Sequence, residues 1–152
     1  MGLLSFIKGA GTKLFGKKEE EAPVAEKETL KASALLAHVQ ALKLPFKSIK
    51  VLLQGEKVIL QGEVENQVDA EKIALAVGNI DGVSEVDNQM NVAIQEPEAR
   101  YHTVVSGDWL SKIAKTYYGD ANKFDVIFEA NKPMLTDPDK IYPGQVLRIP
   151  NL

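Results

Sequence analysis

Between Ile94 and Tyr101 the chain runs Gln95-Glu96-Pro97-Glu98-Ala99-Arg100, a charged stretch with a proline and no large apolar side chain. Such a break divides the 152 residues into two parts, each of which must find its own core. A second break, Glu19-Glu20-Glu21-Ala22-Pro23-Val24-Ala25-Glu26, sets off a short N-terminal segment. The expected organisation is an N-terminal piece over 1–18, a linker over 19–28, a domain over 29–94, a linker over 95–100 and a second domain over 101–152.

In the N-terminal piece, Leu3, Leu4, Ile7, Gly11, Leu14 and Phe15 recur at three- and four-residue steps, which predicts an amphipathic helix. Gly9 and Gly11 each weaken a helix by roughly 1 kcal/mol relative to alanine, so the segment is ordered only when its apolar stripe is docked. Docking on the following domain and resting on an anionic membrane surface both suit a stripe flanked by lysines, and the short length favours docking.

Leu35, Leu36, Val39 and Leu42 keep helical spacing from Thr29 to Leu44, and Pro45 stops the pattern. Two alternating runs follow, Ile49-Val51-Leu53 and Val58-Leu60-Val64, joined by Gln54-Gly55-Glu56-Lys57, which is a hairpin signal. Asn66 stands where it caps a second helix with the face Ala70, Ile73, Ala74 and Val77, and Gly78 stands where a left-handed C-terminal cap is expected. One further strand is predicted from Val83 to Ile94.

The C-terminal part reads strand (Tyr101 to Val105), turn (Ser106-Gly107-Asp108), helix (Leu110, Ile113, Ala114, Tyr117, ending at Gly119), helix (Phe124, Ile127, Phe128) and strand (Val146 to Pro150). The fold class is therefore α+β, with helix-strand-strand-helix-strand followed by strand-helix-helix-strand.

Composition removes several function classes. No cysteine means no disulfide, no thiolate metal site and no thiol nucleophile, and two histidines leave little for zinc. No phosphate-binding glycine loop, dinucleotide fingerprint or nucleophile elbow is present, and Asp137-Pro138-Asp139 lacks the spaced oxygens of a calcium loop. The net charge of −3, with four lysines and no acid before residue 19, argues against nucleic-acid binding by the body of the chain. No apolar run is long enough to span a bilayer and the first residues lack the order of a secretory signal, so a cytoplasmic location is expected. Nothing resembles a heptad seam, so a monomer is expected. His38 and His102 read as surface or boundary residues, and no enzyme is expected.

Tyr101 to Pro150, with Tyr-x-Thr-Val-x-Ser-Gly-Asp, Leu-Ser-x-Ile-Ala, Ile-x-x-Ala-Asn and Ile-Tyr-Pro-Gly-Gln-x-Leu-x-Ile-Pro, resembles a LysM domain. Residues 29–94 resemble a BON domain through the element order and Gly-Asn-Ile-Asp-Gly-Val. The N-terminal Gly-Leu-x-x-Phe-x-Lys-x-Ala-Gly-x-Lys-Leu, then BON, then LysM, resembles the family of small bacterial potassium-binding proteins.

That resemblance implies potassium held by backbone carbonyls of Ile7, Ala10, Gly78, Ile80 and Val83, with Gly82 as a conformational requirement and with compaction on binding. Potassium is weakly hydrated, and neutral carbonyl oxygens can replace its water. Read without the resemblance, Gly78 to Gly82 is more readily a helix cap followed by a turn with no ligand. LysM domains imply a glycan surface of N-acetylglucosamine polymers such as peptidoglycan, here Gly107, Asp108, Trp109 and Leu110 with Ile141, Tyr142 and Pro143. Trp109 has three readings: it stacks on a sugar, blocks it, or packs on the turn. Without export there is no polymer to meet, so the favoured reading of that surface is a dock for a protein partner or a retained structural role; the whole chain has an alternative reading as a glycan-binding envelope adaptor or a hydrolase accessory subunit.

Overall fold

The computed structural model describes residues 3–7 and 9–152. Its first sheet carries β1 (Leu3–Ser5), β2 (Ser48–Gln54), β3 (Lys57–Asn66), β4 (Glu85–Asn88) and β5 (Asn91–Ile94). The strand order is β1-β4-β3-β2, with β5 also on β3. The β2–β3 hairpin turns at Gly55 and Glu56 as its sequence predicts, pairing Val51 with Leu60 and Leu53 with Val58. β4 and β5 both run parallel to β3, which a helical crossover requires.

That crossover is α3 (Gln67–Gly78), and α2 (Val24–Ala41) packs beside it. Leu35 and Val39 of α2 meet Ile73, Ala74 and Val77 of α3 over Val58, Leu60, Val64 and Val86 of the sheet, all fully buried. The predicted strand over Val83 to Ile94 breaks in two. Asn88 is buried, and its side chain donates to the Ala70 carbonyl while accepting the Met90 amide, which jogs the strand at Gln89.

Three further expectations are corrected. The predicted linker over 19–28 is mostly helical: α1 (Lys17–Glu20) and then α2, whose start at Val24 follows Pro23. Pro23 cannot continue a preceding helix but is compatible with starting one. The predicted N-terminal amphipathic helix is a strand, β1, antiparallel to β4, with Leu4 opposite Val86. The strand ends at Ser5, and Gly9 beyond it has a φ of 84° that no right-handed helix accommodates. The three- and four-residue apolar steps were coincidental there, since Leu4 and Phe6 alternate as in a strand. Gly78, finally, is not a left-handed cap. It is helical, and a side chain on it would meet the Phe6 ring, with Cζ 2.0 Å from the Cβ position.

The second unit pairs β6 (Arg100–Thr103) with β7 (Val146–Ile149) and covers them with α4 (Leu110–Tyr118) and α5 (Phe124–Ala130). Gly119 ends α4 in the left-handed conformation, its amide bonded to the Lys115 carbonyl, as the sequence predicts. Leu110, Ile113, Ala114, Ile127, Leu147 and Ile149 fill its core.

The two units are bonded to each other. β7 uses one edge for β6; on the other, Asn79 brackets Val146 and Asn131 brackets Arg148, each asparagine amide accepting the backbone N–H and donating to the backbone C=O at 2.7–2.9 Å. The Arg148 guanidinium donates from Nε to Glu71 Oε1 at 2.7 Å, both buried, and Glu71 Oε2 accepts the Ala99 amide at 3.1 Å. The predicted linker 95–100 is thus anchored at its end, where Ala99 is buried against α3.

Candidate functional site

The end of α3 and the N-terminal segment meet edge to edge. α3 stops because Asn79 takes up a non-helical ψ, its amide still bonded to the Leu75 carbonyl, and the chain turns through Ile80, Asp81 and Gly82. Gly82 has φ 103°, and the Val83 amide bonds back to the Ile80 carbonyl at 3.1 Å. Facing this, Gly9 has φ 84° and the Ala10 amide bonds back to the Ile7 carbonyl at 3.3 Å. Two tight turns, each depending on a glycine in the left-handed region, therefore lie side by side.

They are stitched at both ends. Phe6 donates its amide to the Ser84 carbonyl at 2.8 Å, Thr12 donates to Asn79 at 2.8 Å and Asp81 donates to Thr12 at 2.9 Å, so Thr12 bridges in parallel to Ile80. Gly11 allows the approach, because a Cβ there would sit 2.4 Å from the Asn79 carbonyl oxygen. Between the stitches lie Ile7 and Ala10 on one strand of the frame and Ile80 and Val83 on the other, with Gly78 at the helix end.

Those are the five residues expected as carbonyl donors, and the fold brings them to one place. Ile80 and Val83 are buried, as is Gly78, while the Ile7 side chain is 54% exposed. Backbone oxygens do not need polar side chains, and each carbonyl has two lone pairs, so those of Ile7 and Ile80 keep one beyond their turn bond. The last four carbonyls of a helix lack intrahelical partners and carry the negative end of its dipole, which adds Gly78. Among the described residues no cluster of three or more histidines and acids could hold a metal. A neutral oxygen set suits a large, weakly hydrated monovalent cation rather than calcium or magnesium, which take carboxylates.

Sequence reasoning missed the role of Asn79. Its side chain reaches Val146 on β7 while its backbone carbonyl holds Thr12, so one residue ties the turn, the N-terminal segment and the second unit together. Its partner lies 67 positions away, which no local pattern reveals. Ala10 is held from the same side, since a Cβ on Gly144 would meet the Ala10 Cβ at 2.4 Å.

The residues expected on a glycan surface divide. Gly107, at φ 90°, and Trp109, 57% exposed at the start of α4, face solvent, with the Lys112 ammonium 5.3 Å from the indole centre. Asp108 turns inward: its carboxylate accepts the Val105 amide and a hydrogen bond from His102 Nε2 at 2.9 Å. Burial alone would raise that carboxyl, but those hydrogen bonds and the neighbouring Lys112 hold it below its ordinary value. Leu110 belongs to the core, and Ile141 packs against it. Pro143 is exposed, while the Tyr142 hydroxyl is buried towards the first unit and its phenol is pushed up by burial. The Lys112 ammonium that lies over the Trp109 ring comes from the first turn of α4, and the indole otherwise stays exposed.

His102 is more engaged than a boundary residue, since Nδ1 also lies 3.0 Å from the Tyr117 hydroxyl. His38 is half-buried, and burial lowers its pKa. No described helix is long and apolar enough to cross a membrane.

Comparison with known proteins agrees with this architecture. A BON domain model matches residues 28–94 and a LysM domain model matches residues 102–150. Along 151 residues, 99% of both chains, the sequence is 42% identical to the potassium binding protein Kbp of Escherichia coli O6:H1. A segment of 49 residues, 32% of this chain and 19% of the relative, is 51% identical to an uncharacterized protein of Deinococcus radiodurans.

Proposed function

The chain belongs to the family of the potassium binding protein Kbp, and we propose that it binds potassium through the backbone carbonyls of Ile7, Ala10, Gly78, Ile80 and Val83. The observation that carries this reading is the pair of glycine turns, Gly9 facing Gly82, stitched by the Phe6, Thr12 and Asp81 amides. In the compact arrangement the stitched segments hold their oxygens at fixed spacing, which favours an ion whose water is easily replaced. Potassium supplies the positive charge that draws these dipoles together. The chain supplies the frame that fixes their spacing.

Because the donors come from both sides of the frame, the ion holds β1 and its extension to the BON body, and through Asn79 and Gly144 to the LysM unit. Binding therefore favours the compact arrangement. At about 100 times its dissociation constant the ion adds roughly 2.7 kcal/mol to stability. The protein acts as a cytoplasmic ion sensor: its loose and compact forms offer different surfaces to a partner. It binds rather than catalyses. The LysM unit braces the site, and the solvent-facing Trp109 favours a second reading in which that unit also takes a glycan.

Calorimetric titration and thermal unfolding of the potassium-stripped protein in potassium chloride against sodium chloride, at equal ionic strength, test the first reading. Saturable heat and a raised melting temperature with potassium alone support it, and identical curves refute it. Small-angle scattering in the two salts tests the compaction. Retention on insoluble peptidoglycan, with recovery outside the cytoplasm, would replace the reading by the envelope-adaptor alternative.

A further inference from the structure

Resting on that reading of the site, we propose that the Asp81 carboxylate supplies the net negative charge of an otherwise neutral carbonyl site, setting how tightly it holds a monovalent cation but not which one. Asp81 lies between the proposed donors Ile80 and Val83, in the turn shaped by Gly82. Its backbone is fixed by the bond from its amide to the Thr12 carbonyl at 2.9 Å. Its side chain crosses the frame: Oδ1 is 4.0 Å from where a Cβ on Gly9 would be, so the carboxylate overlies the opposite turn at the residue with no side chain. Among the described residues no cation or hydrogen-bond donor engages it.

A shell of carbonyl oxygens discriminates ions by the distances and number of its dipoles. An anion outside that shell acts on the ion's charge, which sodium, potassium and rubidium share. It raises the local concentration of every monovalent cation and the affinity for each by the same factor. For one partly exposed charge a few ångströms from the ion, Coulomb attraction at an effective dielectric between protein surface and water corresponds to roughly threefold to tenfold in affinity. Salt reduces it, since the Debye length falls from tens of ångströms in dilute buffer to a few at molar salt.

The test is calorimetric titration of full-length parent, Asp81→Asn and Asp81→Glu with potassium and rubidium, at low and high ionic strength set by choline chloride. Asp81→Asn is expected to bind potassium threefold to tenfold more weakly at low ionic strength, with the potassium-to-rubidium ratio unchanged, and to approach the parent at high ionic strength. Asp81→Glu should stay close to the parent throughout. Equal melting temperatures of the three proteins in sodium would establish that the fold is intact. A parent-like affinity of Asp81→Asn at low salt overturns the inference while leaving the site standing. A changed ion ratio also overturns it, because the carboxylate would then be a ligand. A parent that binds neither ion refutes the site itself.

Discussion

Replacing Gly78 by alanine sets two effects of opposite sign against each other. Gly78 is helical, so on propensity alone the change stabilises α3 by about 1 kcal/mol. The added methyl, however, would lie 2.0 Å from Cζ and 2.2 Å from Cε2 of Phe6, a buried ring that cannot bend aside. Overpacking of this kind costs about 1–3 kcal/mol, and complete expulsion of the ring forfeits its burial, about 1.5–3 kcal/mol. The net expectation is a loss of about 2 kcal/mol, which in a chain of this length lowers Tm by roughly 4–8 °C. The deciding measurement is a double-mutant cycle by thermal and urea unfolding. Phe6→Ala alone should cost about 3–5 kcal/mol, and in that background Gly78→Ala should stabilise, because the methyl then enters the space the ring leaves. Potassium titration should weaken in Gly78→Ala, since displacing Phe6 moves the Ile7 and Ala10 carbonyls. Gly78→Ala that is neutral or stabilising in the parent, or equally harmful without Phe6, would refute the steric argument.

Three further outcomes are expected. Arg148→Met leaves the Glu71 carboxylate buried without its partner and should lower stability by about 3–5 kcal/mol in urea unfolding, whereas Glu71→Leu with Arg148→Met should recover most of it. Gly82→Ala has room, its nearest neighbour being the Phe15 ring at 3.5 Å, so backbone strain at φ 103° is its whole cost; about 1–2 kcal/mol should be lost, with weaker potassium binding by calorimetry. Burial depresses the His38 pKa, so the folded protein binds fewer protons than the unfolded chain just below the ordinary histidine value. That contribution is fully present above about pH 6.5, declines as pH falls towards the folded pKa, and should vanish from the unfolding profile in His38→Gln.

Most of both domain folds was readable because their elements obey a single period over several turns or pairs. The β2–β3 hairpin, α3 and α4 alternate or repeat cleanly, and local preference and burial agree there. The N-terminal segment misled because Leu4 and Ile7 keep a helical step while Leu4 and Phe6 alternate, and the strand is only three residues long; pairing with Val86, more than 80 residues away, decides it. Gly78 misled because a glycine ending a helical pattern has two explanations, a left-handed backbone or a close neighbour, and only the Phe6 ring distinguishes them. The proposed donor set came through family resemblance alone, since carbonyl oxygens leave no trace in side-chain pattern. Nothing in the sequence announced Asn79 or the ion pair of Glu71 with Arg148, whose partners lie across the chain.

The two asparagines on β7 have a consequence for anyone cutting the chain where composition invites it, at residues 95–100. In the whole protein the outer edge of β7 offers nothing to another strand, because Asn79 and Asn131 already occupy the amides and carbonyls of Val146 and Arg148. A LysM fragment keeps Asn131 but loses Asn79. Val146 then becomes an open half-rung at the edge of a two-stranded sheet, a template for any extended segment, including the same strand of a second fragment. The BON unit thus works as a lid on a sticky edge, and concentrated solutions of the isolated LysM piece should self-associate where the intact chain does not.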